Sequence, residues 1–340
     1  MSEEQAALRE DSVQSSAEKQ VTDRVVTEEL IAGWKALKPS CYARLVVGAK
    51  TDLGSVRENN EDKFDFLEPA RDSPISYKGR LYGIADGMGG HSAGQIASEL
   101  ALKTVIRTYY TDQSSRIVNS LHYAIAEANG LIFDTAQMIQ DRRDMGTTLT
   151  LGVVYEDRLI VAHTGDSRAY LLRDGEIEQI TQDHSWVAEQ VSMGALTLEQ
   201  AQLSPFRNII TRSIGTQPNV EPDFYAVDLL EGDRILFCSD GLTTHLDQAD
   251  LIRLAGTKAT IDAGPSMTSM KLIEVANERG GRDNITVLIL DVIEIEQVEQ
   301  PDREEGPVDE SLTFIDEDED PQMAASAKKG RGRSLFGSTR

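Results

Sequence analysis

The sequence is poor in cysteine and histidine, and it has no long hydrophobic run. It contains 2 cysteines and 5 histidines in 340 residues. Two cysteines are too few for a disulfide framework, so we expect two free thiols and a reducing compartment. No apolar stretch approaches the roughly 20 residues of a membrane span, and the polar N-terminus lacks a signal-peptide pattern. These absences predict a cytoplasmic protein without a membrane span.

Positive charge is also scarce, with 34 Lys+Arg against 57 Asp+Glu and a formal net charge of −23. A polyanion of this size is not expected to bind nucleic acid across its surface. Divalent cations, which prefer carboxylate oxygens, are a possible ligand, although excess acid is more often only a solvated surface. The hydrophobic fraction of 40% is enough for a substantial core. We therefore expect a globular monomer with no nucleic-acid partner.

The residue pattern divides the chain into three parts. Residues 1–42 form an N-terminal extension, partly helical or disordered, in which 21–34 has weak helical spacing. Residues 43–296 have the pattern of a folded domain. Residues 297–340 are acidic and then basic, which predicts a disordered tail. For the extension, a packed helix, a partly ordered arm and a partner-binding helix stay open. For the tail, the open alternatives are a solubilising role, folding back onto the protein and binding a partner.

Within the domain, short β-like runs are mixed with a few helical segments. Helical spacing is present at 93–110, 116–138 and 266–279. Asp174-Gly175 predicts a hairpin, because a tight primed turn requires positive φ angles. Strands and helices do not alternate regularly, which favours the α+β class, with antiparallel sheets covered by helices. The predicted strands are 44–49, 81–85, 148–154, 158–164, 167–173, 176–181, 235–239 and 285–291.

Four short segments place acidic residues beside glycines at strand ends: 54–62, 84–91, 238–242 and 281–286. Asp86 and Asp240 each follow an apolar strand and precede a glycine, and Asp283 precedes an apolar strand. Strand ends hold carboxylates rigidly, and glycine allows backbone, metal or substrate to approach closely. Carboxylates that converge need a cation to offset their repulsion. A single Asp-Gly pair is also a common turn, so the prediction depends on the set.

In this order, the four segments resemble the PPM family, the protein phosphatase 2C-like metal-dependent Ser/Thr protein phosphatases of the bacterial type. The resemblance spans about 43–295 and implies a four-layer α-β-β-α sandwich, with two antiparallel sheets flanked by helix pairs. It also implies a centre of two Mn²⁺ or Mg²⁺ ions at one end of the sandwich. Further matching motifs are Met145-Gly146-Thr147-Thr148, Gly165-Asp166-Ser167-Arg168 and Asp183-His184-Ser185.

The resemblance implies roles for individual residues of the metal centre. Asp86 would bridge both ions, and the backbone carbonyl of Gly87 would bind one. Asp240 and Asp283 would bind one ion directly. The remaining ligands, which would face the other ion mostly through water, are Asp62 and Glu61.

The resemblance also implies that Arg57 would bind the substrate phosphate, and its planar guanidinium suits bidentate contact with phosphate oxygens. A hydroxide bridging the two ions would attack phosphorus in line. No covalent enzyme intermediate is then needed. Carboxylate and carbonyl ligands suit Mg²⁺ and Mn²⁺ equally, so the native ion stays open.

The general acid and a third ion are less well defined by the motifs. Met88 stands where animal relatives carry a histidine proposed as the general acid. His91, three residues further on, and a metal-bound water are alternative donors. Bacterial relatives often hold a third, weaker ion through an Asp near the Gly-Thr-Thr segment. Asp144, shared with Asp240, is the candidate and Asp141 the fallback, with an ordinary surface turn as the alternative.

Residues 186–213 are predicted to form an insertion between core elements, with a helix at 187–193, and they resemble the mobile flap of bacterial relatives. Asp166 is predicted to have an architectural role in a turn between two strands. His163 and His184 are predicted to be structural rather than metal ligands.

The resulting function is hydrolysis of phosphoserine and phosphothreonine in proteins, opposing Ser/Thr kinases. The expected partners are phosphorylated proteins, namely the kinases and their substrates. A non-catalytic phosphoprotein-binding scaffold on the same fold would predict losses among the metal ligands, and none is lost. A phosphatase dedicated to one partner would share the same chemistry and stays open.

Overall fold

The computed structural model describes residues 39–89, 92–139 and 145–298. The predicted extension (1–42) and tail (297–340) therefore lie almost wholly outside the described residues. The strands are β1 (Cys41–Asp52), β2 (Lys63–Leu67), β3 (Arg80–Ala85), β4 (Gly87–Met88), β5 (Gly146–Thr147), β6 (Leu149–Tyr155), β7 (Arg158–Thr164), β8 (Arg168–Arg173), β9 (Glu176–Gln179), β10 (Asp223–Asp228), β11 (Arg234–Cys238) and β12 (Ile285–Gln297).

Two long helices follow β4, and shorter helices follow the later strands. They are α1 (Ala93–Thr111), α2 (Ile117–Met138), α3 (Trp186–Ser192), α4 (Leu198–Leu203), α5 (Asp240–Thr243), α6 (Gln248–Leu251), α7 (Lys258–Asp262) and α8 (Pro265–Glu278). A π-helical turn, Ile252–Gly256, continues α6, and a 3₁₀ turn, Ser76–Lys78, precedes β3. The three long helices predicted from spacing are α1, α2 and α8, with ends within one residue of the prediction.

The large strands form two five-stranded sheets. The first has the order β1-β12-β11-β8-β9 and the second the order β10-β7-β6-β3-β2. Every neighbouring pair is antiparallel. The predicted β8–β9 hairpin turns at Asp174 and Gly175, whose φ angles of 52° and 83° have the positive sign that a tight primed turn needs.

Three hydrophobic clusters fill the spaces between four layers of helices and sheets. One fills the space between the two sheets, one joins α1 and α2 to the second sheet, and one joins α8 to the first sheet. Successive side chains of β12 point to opposite faces of the sheet, so this strand contributes to two hydrophobic clusters. Leu288 and Leu290 face the other sheet, while Val287 and Ile289 face the helices. The predicted α+β sandwich of four layers is confirmed.

The sequence prediction missed β2 and β10, the two edge strands of the second sheet. An edge strand has only one sheet neighbour, and its side chains are partly exposed, so its apolar pattern is weak. In β2 every side chain is half-buried or exposed. In β10 only Tyr225 and Val227 are buried.

Both cysteines, Cys41 and Cys238, are buried free thiols, as predicted. Among the described residues, no helix combines the length and the apolar character that crossing a bilayer requires.

β1 and β12 pair along their full lengths, from Cys41 opposite Gln297 to Asp52 opposite Ile285. The described chain therefore starts and finishes at one end of the sandwich, where Val298 N–H donates to the Ser40 carbonyl at 2.9 Å. The other end of the same pair adjoins Asp283. At roughly 3.3 Å per residue, the two ends of β1 are about 36 Å apart.

Candidate metal centre

Four aspartates come together at one end of the sandwich from distant parts of the chain. Asp62 directly precedes β2, and Asp86 lies between β3 and β4. Asp240 opens α5 after β11, and Asp283 lies two residues before β12. Both sheets thus contribute carboxylates to the same end, as the strand-end positions in the sequence predict.

Burial and the charges of neighbouring carboxylates raise the pKa values of three of these aspartates. Burial raises the pKa of Asp62 to about 7, and the charges of Asp240 and Asp283 add to the rise. Burial raises the pKa of Asp86 well above its usual value, with further contributions from Asp62 and Asp240. The pKa of Asp240 is raised by burial and then by Asp283, while a hydrogen bond with Asp86 opposes the rise. The charge of Asp283 acts on the other three carboxylates, so the four aspartates lie in one cluster.

Asp62 has one satisfied and one unsatisfied carboxylate oxygen. Its Oδ2 accepts a hydrogen bond from Ser239 Oγ at 2.7 Å. Its Oδ1 is buried and has no hydrogen-bond partner. Leaving a buried carboxylate oxygen unpaired is costly, and a divalent cation would satisfy it.

Asp86 is fixed through its backbone by the segment that the sequence analysis grouped with it. Its N–H donates to Thr148 Oγ1 at 2.9 Å. Its carbonyl accepts from Thr148 N–H at 2.8 Å and from Thr147 Oγ1 at 2.8 Å. The Met-Gly-Thr-Thr motif therefore positions Asp86.

Gly87 and Gly94 permit a close contact between β4 and the first turn of α1. A Cβ on Gly87 would lie 2.1 Å from the Gly94 carbonyl oxygen and 2.8 Å from that of Glu61. A Cβ on Gly94 would lie 2.5 Å from Glu61 Oε2. Larger residues would separate these segments. The Glu61 carboxylate lies at the first turn of α1, where the helix dipole favours negative charge.

Arg57 lies at the rim of the cluster. Its Nη2 is 2.7 Å from Asp283 Oδ2, and about half of its side chain is exposed. The hydrogen bond to Asp283 raises the pKa of Arg57, and the charges of Glu61 and Asp86 add to the rise. The structure thus places the accessible guanidinium of Arg57 beside Asp283 and within the field of Glu61 and Asp86, three of the residues that the sequence analysis selected.

Asp166 also adjoins the cluster. Burial raises its pKa to about 8, followed by the charges of Asp240 and Asp183, while Arg168 opposes the rise. The sequence analysis gave Asp166 only an architectural role in a turn. Its neighbourhood with Asp240 makes it a candidate for the outer part of the centre.

The insertion after β9 is anchored to the sandwich by polar contacts at both ends. At its start, His184 Nδ1 accepts from Gly165 N–H at 3.1 Å, which leaves Nε2–H to donate to Asp223 Oδ2 at 3.1 Å. At its end, Arg212 Nη1 donates to Asp223 Oδ1 at 2.5 Å. The Trp186 and Phe206 rings pack edge to face within it.

The insertion contains the predicted helix, shifted by one residue, and also α4, which was missed. Thr197 and Gln200 form a reciprocal capping box at the start of α4, a sequence signal that could have revealed this helix.

Comparison with known proteins identifies the family of this chain. The model of the protein phosphatase 2C family matches residues 48–190. A putative protein phosphatase 2C-type of Streptococcus pyogenes is 39% identical over 252 residues, which cover 72% of this chain and 96% of the relative. The chain belongs to the protein phosphatase 2C family.

Solved structures of bacterial relatives share the fold. A serine/threonine phosphatase of S. agalactiae has 38% identity and a TM-score of 0.66, over 73% of this chain and 100% of its own. The catalytic domain of the phosphatase PstP, solved in complex with two manganese ions, has 35% identity and a TM-score of 0.62. That match covers 74% of this chain and 99% of the PstP chain.

The donor set of this family member suits a hard divalent cation. The candidate ligands are carboxylate oxygens and the Gly87 carbonyl, which are the ligands that Mg²⁺ and Mn²⁺ prefer. The unpaired Asp62 Oδ1 and the raised pKa values of Asp62 and Asp86 fit a site that a cation would stabilise. Within the described residues, however, no three His, Cys, Asp or Glu side chains already form a closed metal cage. Asp283 instead forms an ion pair with Arg57.

Three predicted site residues lie outside the described residues: His91, Asp144 and the fallback Asp141. Their roles as general acid and third-ion ligand stay predictions.

Ser239 and Gly94 were not singled out by the sequence analysis. Ser239 precedes Asp240 in the Ser-Asp-Gly segment, and its hydroxyl also accepts from Thr286 N–H at 3.0 Å. Its contact with Asp62 spans 177 residues, so no local pattern indicates it. The close approach of Gly94 to Glu61 is likewise a tertiary contact.

Proposed function

We propose that this protein is a metal-dependent serine/threonine protein phosphatase that hydrolyses phosphoserine and phosphothreonine in proteins. The convergence of four aspartates beside an accessible arginine, in a member of the protein phosphatase 2C family, carries the proposal. A polyanionic protein attracts phosphate, itself an anion, only where positive charge is concentrated. The carboxylate cluster would repel phosphate, so bound cations are needed there to supply positive charge.

The proposed ligands of two divalent ions are Asp86, Asp240, Asp283 and the Gly87 carbonyl, with Asp62 and Glu61 as the outer group. Such ions, when bound, lower the pKa of water and neutralise charge that develops on the phosphoryl oxygens. The support from this chain is the shared end of the sandwich, the raised pKa values of three aspartates and the unpaired Asp62 oxygen.

Arg57 is proposed to bind and orient the substrate phosphate. Its guanidinium is exposed enough to meet a ligand and is now paired with Asp283. Phosphate would take up donors of the same guanidinium, and Asp283 would then be released towards the carboxylate cluster. The planar fork offers two parallel hydrogen bonds to phosphate oxygens, which fixes the direction of the ester bond.

The finer parts of the proposal concern cellular context. We propose that the protein opposes Ser/Thr kinases, with the kinases and their substrates as partners, and acts in the cytoplasm as a monomer.

Either Mn²⁺ or Mg²⁺ would serve, in two main sites and a weaker third that includes Asp144. The insertion at 186–213 is proposed to act as a flap that admits the substrate, since it is anchored at its two ends.

The test is hydrolysis of p-nitrophenyl phosphate and of a phosphothreonine peptide in Mn²⁺, in Mg²⁺ and in EDTA. We expect activity with either ion and none in EDTA. Asp86→Ala and Asp240→Ala should each lose nearly all turnover and bind fewer Mn²⁺ ions by calorimetry. Activity that persists in EDTA would overturn the metal mechanism. No activity in Mn²⁺ would favour a non-catalytic scaffold, and near-normal turnover in either variant would refute the ligand assignment.

A further inference from the structure

Asn284 makes three hydrogen bonds to one loop of the candidate site. The loop, residues 53–62, joins β1 in the first sheet to β2 in the second. Asn284 Oδ1 accepts from Glu61 N–H at 2.8 Å. Asn284 Nδ2 donates to the Leu53 carbonyl at 2.9 Å and to the Asn59 carbonyl at 3.0 Å. Both amide hydrogens are used, and the contacts hold the loop at its start and near its end.

The backbone of Asn284 is fixed to two other parts of the site. Its N–H donates to Asp283 Oδ1 at 2.8 Å. Its carbonyl lies so close to Gly241 that a Cβ there would be 2.0 Å from the Asn284 oxygen. Gly241 directly follows Asp240. Asn284 is therefore bonded to the candidate ligand Asp283, packed against the residue that follows Asp240, and bonded to the loop that carries Glu61 and Asp62.

We propose that Asn284 is a positioning residue that sets the place of Arg57, Glu61 and Asp62 relative to Asp240 and Asp283. This inference rests on the proposed function. Its side-chain hydrogen bonds all go to the backbone of the loop, so it acts through the loop. Its side chain is almost fully buried, at 4% exposure, so water does not replace lost hydrogen bonds easily.

The chemistry of the side chain explains why an amide is needed. Two backbone carbonyls face Nδ2, and one backbone N–H faces Oδ1, so the side chain must donate twice and accept once. Aspartate has the same shape but offers only acceptors when ionised. It would place a negative oxygen against the Leu53 and Asn59 carbonyls and would push the loop away from β12.

Asn129 provides a matched control. It is buried to 1% exposure, and its amide also donates to two carbonyls, those of Gln217 and Pro218, at 3.0 and 3.1 Å. Its Oδ1 accepts from Gly215 N–H at 2.8 Å. The number and kind of hydrogen bonds are the same, but they hold a different loop.

The experiment compares Asn284→Ala, Asn284→Asp and Asn129→Ala with the wild-type chain. Mn²⁺ affinity is measured by calorimetry without substrate, KM and kcat with p-nitrophenyl phosphate, and Tm by calorimetric scanning. Removing residues that orient metal ligands typically weakens metal binding about 10- to 100-fold. We expect that loss, and a raised KM, in both Asn284 variants. Asn129→Ala should lower Tm to a similar degree and keep the wild-type Mn²⁺ affinity and KM.

Asn284 variants with wild-type Mn²⁺ affinity and KM would overturn the inference, even if their Tm falls. Equal losses of Mn²⁺ affinity in the Asn129 and Asn284 variants would overturn it too, because they would show a general effect of destabilisation. If Asn284→Ala does not fold, Asn284→Ser is measured against the same two outcomes. A wild-type chain that neither binds Mn²⁺ nor hydrolyses the ester contradicts the proposed function itself.

Discussion

The buried histidine His163 makes the fold sensitive to acid in a way that can be calculated. Its side chain has no exposed surface. Nδ1 shares a 2.9 Å hydrogen bond with Thr150 Oγ1, and Nε2 has no hydrogen-bond partner. Burial and the neighbouring His184 lower the pKa of His163 to about 3, while the charges of Asp183 and Asp223 oppose the shift. The imidazole is therefore neutral in the native state.

An unfolded histidine has a pKa of about 6.5. Below that pH, His163 binds a proton in the unfolded chain, whereas in the folded chain it stays neutral down to about pH 3. The contribution of neutral His163 to stability is thus fully present above pH 6.5 and is lost as the pH falls towards 3. At pH 5 the loss amounts to about 2 kcal/mol, against about 0.1 kcal/mol at pH 7.5.

The measurement is urea unfolding, in EDTA, of the wild type and of His163→Asn at pH 7.5 and pH 5. Asparagine does not titrate, so the stability difference between the two proteins should shrink by about 2 kcal/mol at the lower pH. Carboxylates that titrate in both proteins cancel in this difference. His122→Asn, at an exposed histidine, is the control and should show a much smaller change. A difference that is the same at both pH values would refute a neutral, buried His163.

Two further predictions concern Arg57 and the thiols. Arg57→Ala should lower kcat/KM for p-nitrophenyl phosphate about 10- to 100-fold, since a hydrogen bond to a charged group contributes about 1.5–3 kcal/mol. Arg57→Lys should recover only part of the lost kcat/KM. An unchanged kcat/KM in Arg57→Ala would show that Arg57 does not bind the phosphate. Burial raises the pKa of Cys238 to about 12 and also raises that of buried Cys41. Ellman's reagent at pH 8 should therefore react slowly with the native protein, first at Cys41 at the end of its strand, and should detect two thiols in guanidinium chloride; rapid reaction of Cys238 in the native protein would contradict its burial.

The sequence predicted those parts of the fold whose side chains are buried in a regular pattern. The strands of the sheet centres, β6, β7, β11 and β12, have continuous apolar runs because both of their faces are covered. The edge strands β2 and β10 of the second sheet lack this signal. The short helices between β11 and α8 were also missed, because four or five residues are too few to show a helical period.

The candidate site was predictable where chemistry and local structure coincide. Asp86, Asp240 and Asp283 stand beside glycine or asparagine at strand ends, and the structure brings them together. The supporting contacts were not predictable, because they join residues far apart in the chain. Asn284 holds Glu61 across 223 residues, and the charge of Asp240 raises the pKa of Asp166, which lies between β7 and β8.

The full-length pairing of β1 with β12 has a mechanical consequence. Because the two strands are antiparallel, a force applied at residues 40 and 298 would pull on neighbouring ends and open the ladder one hydrogen-bonded pair at a time, from Cys41 and Gln297 inwards. Thermal fraying would start at the same place. The last pair to open is Asp52 with Ile285, about 36 Å away. Strain that enters at those neighbouring ends is therefore dissipated in the ladder before it reaches the carboxylates.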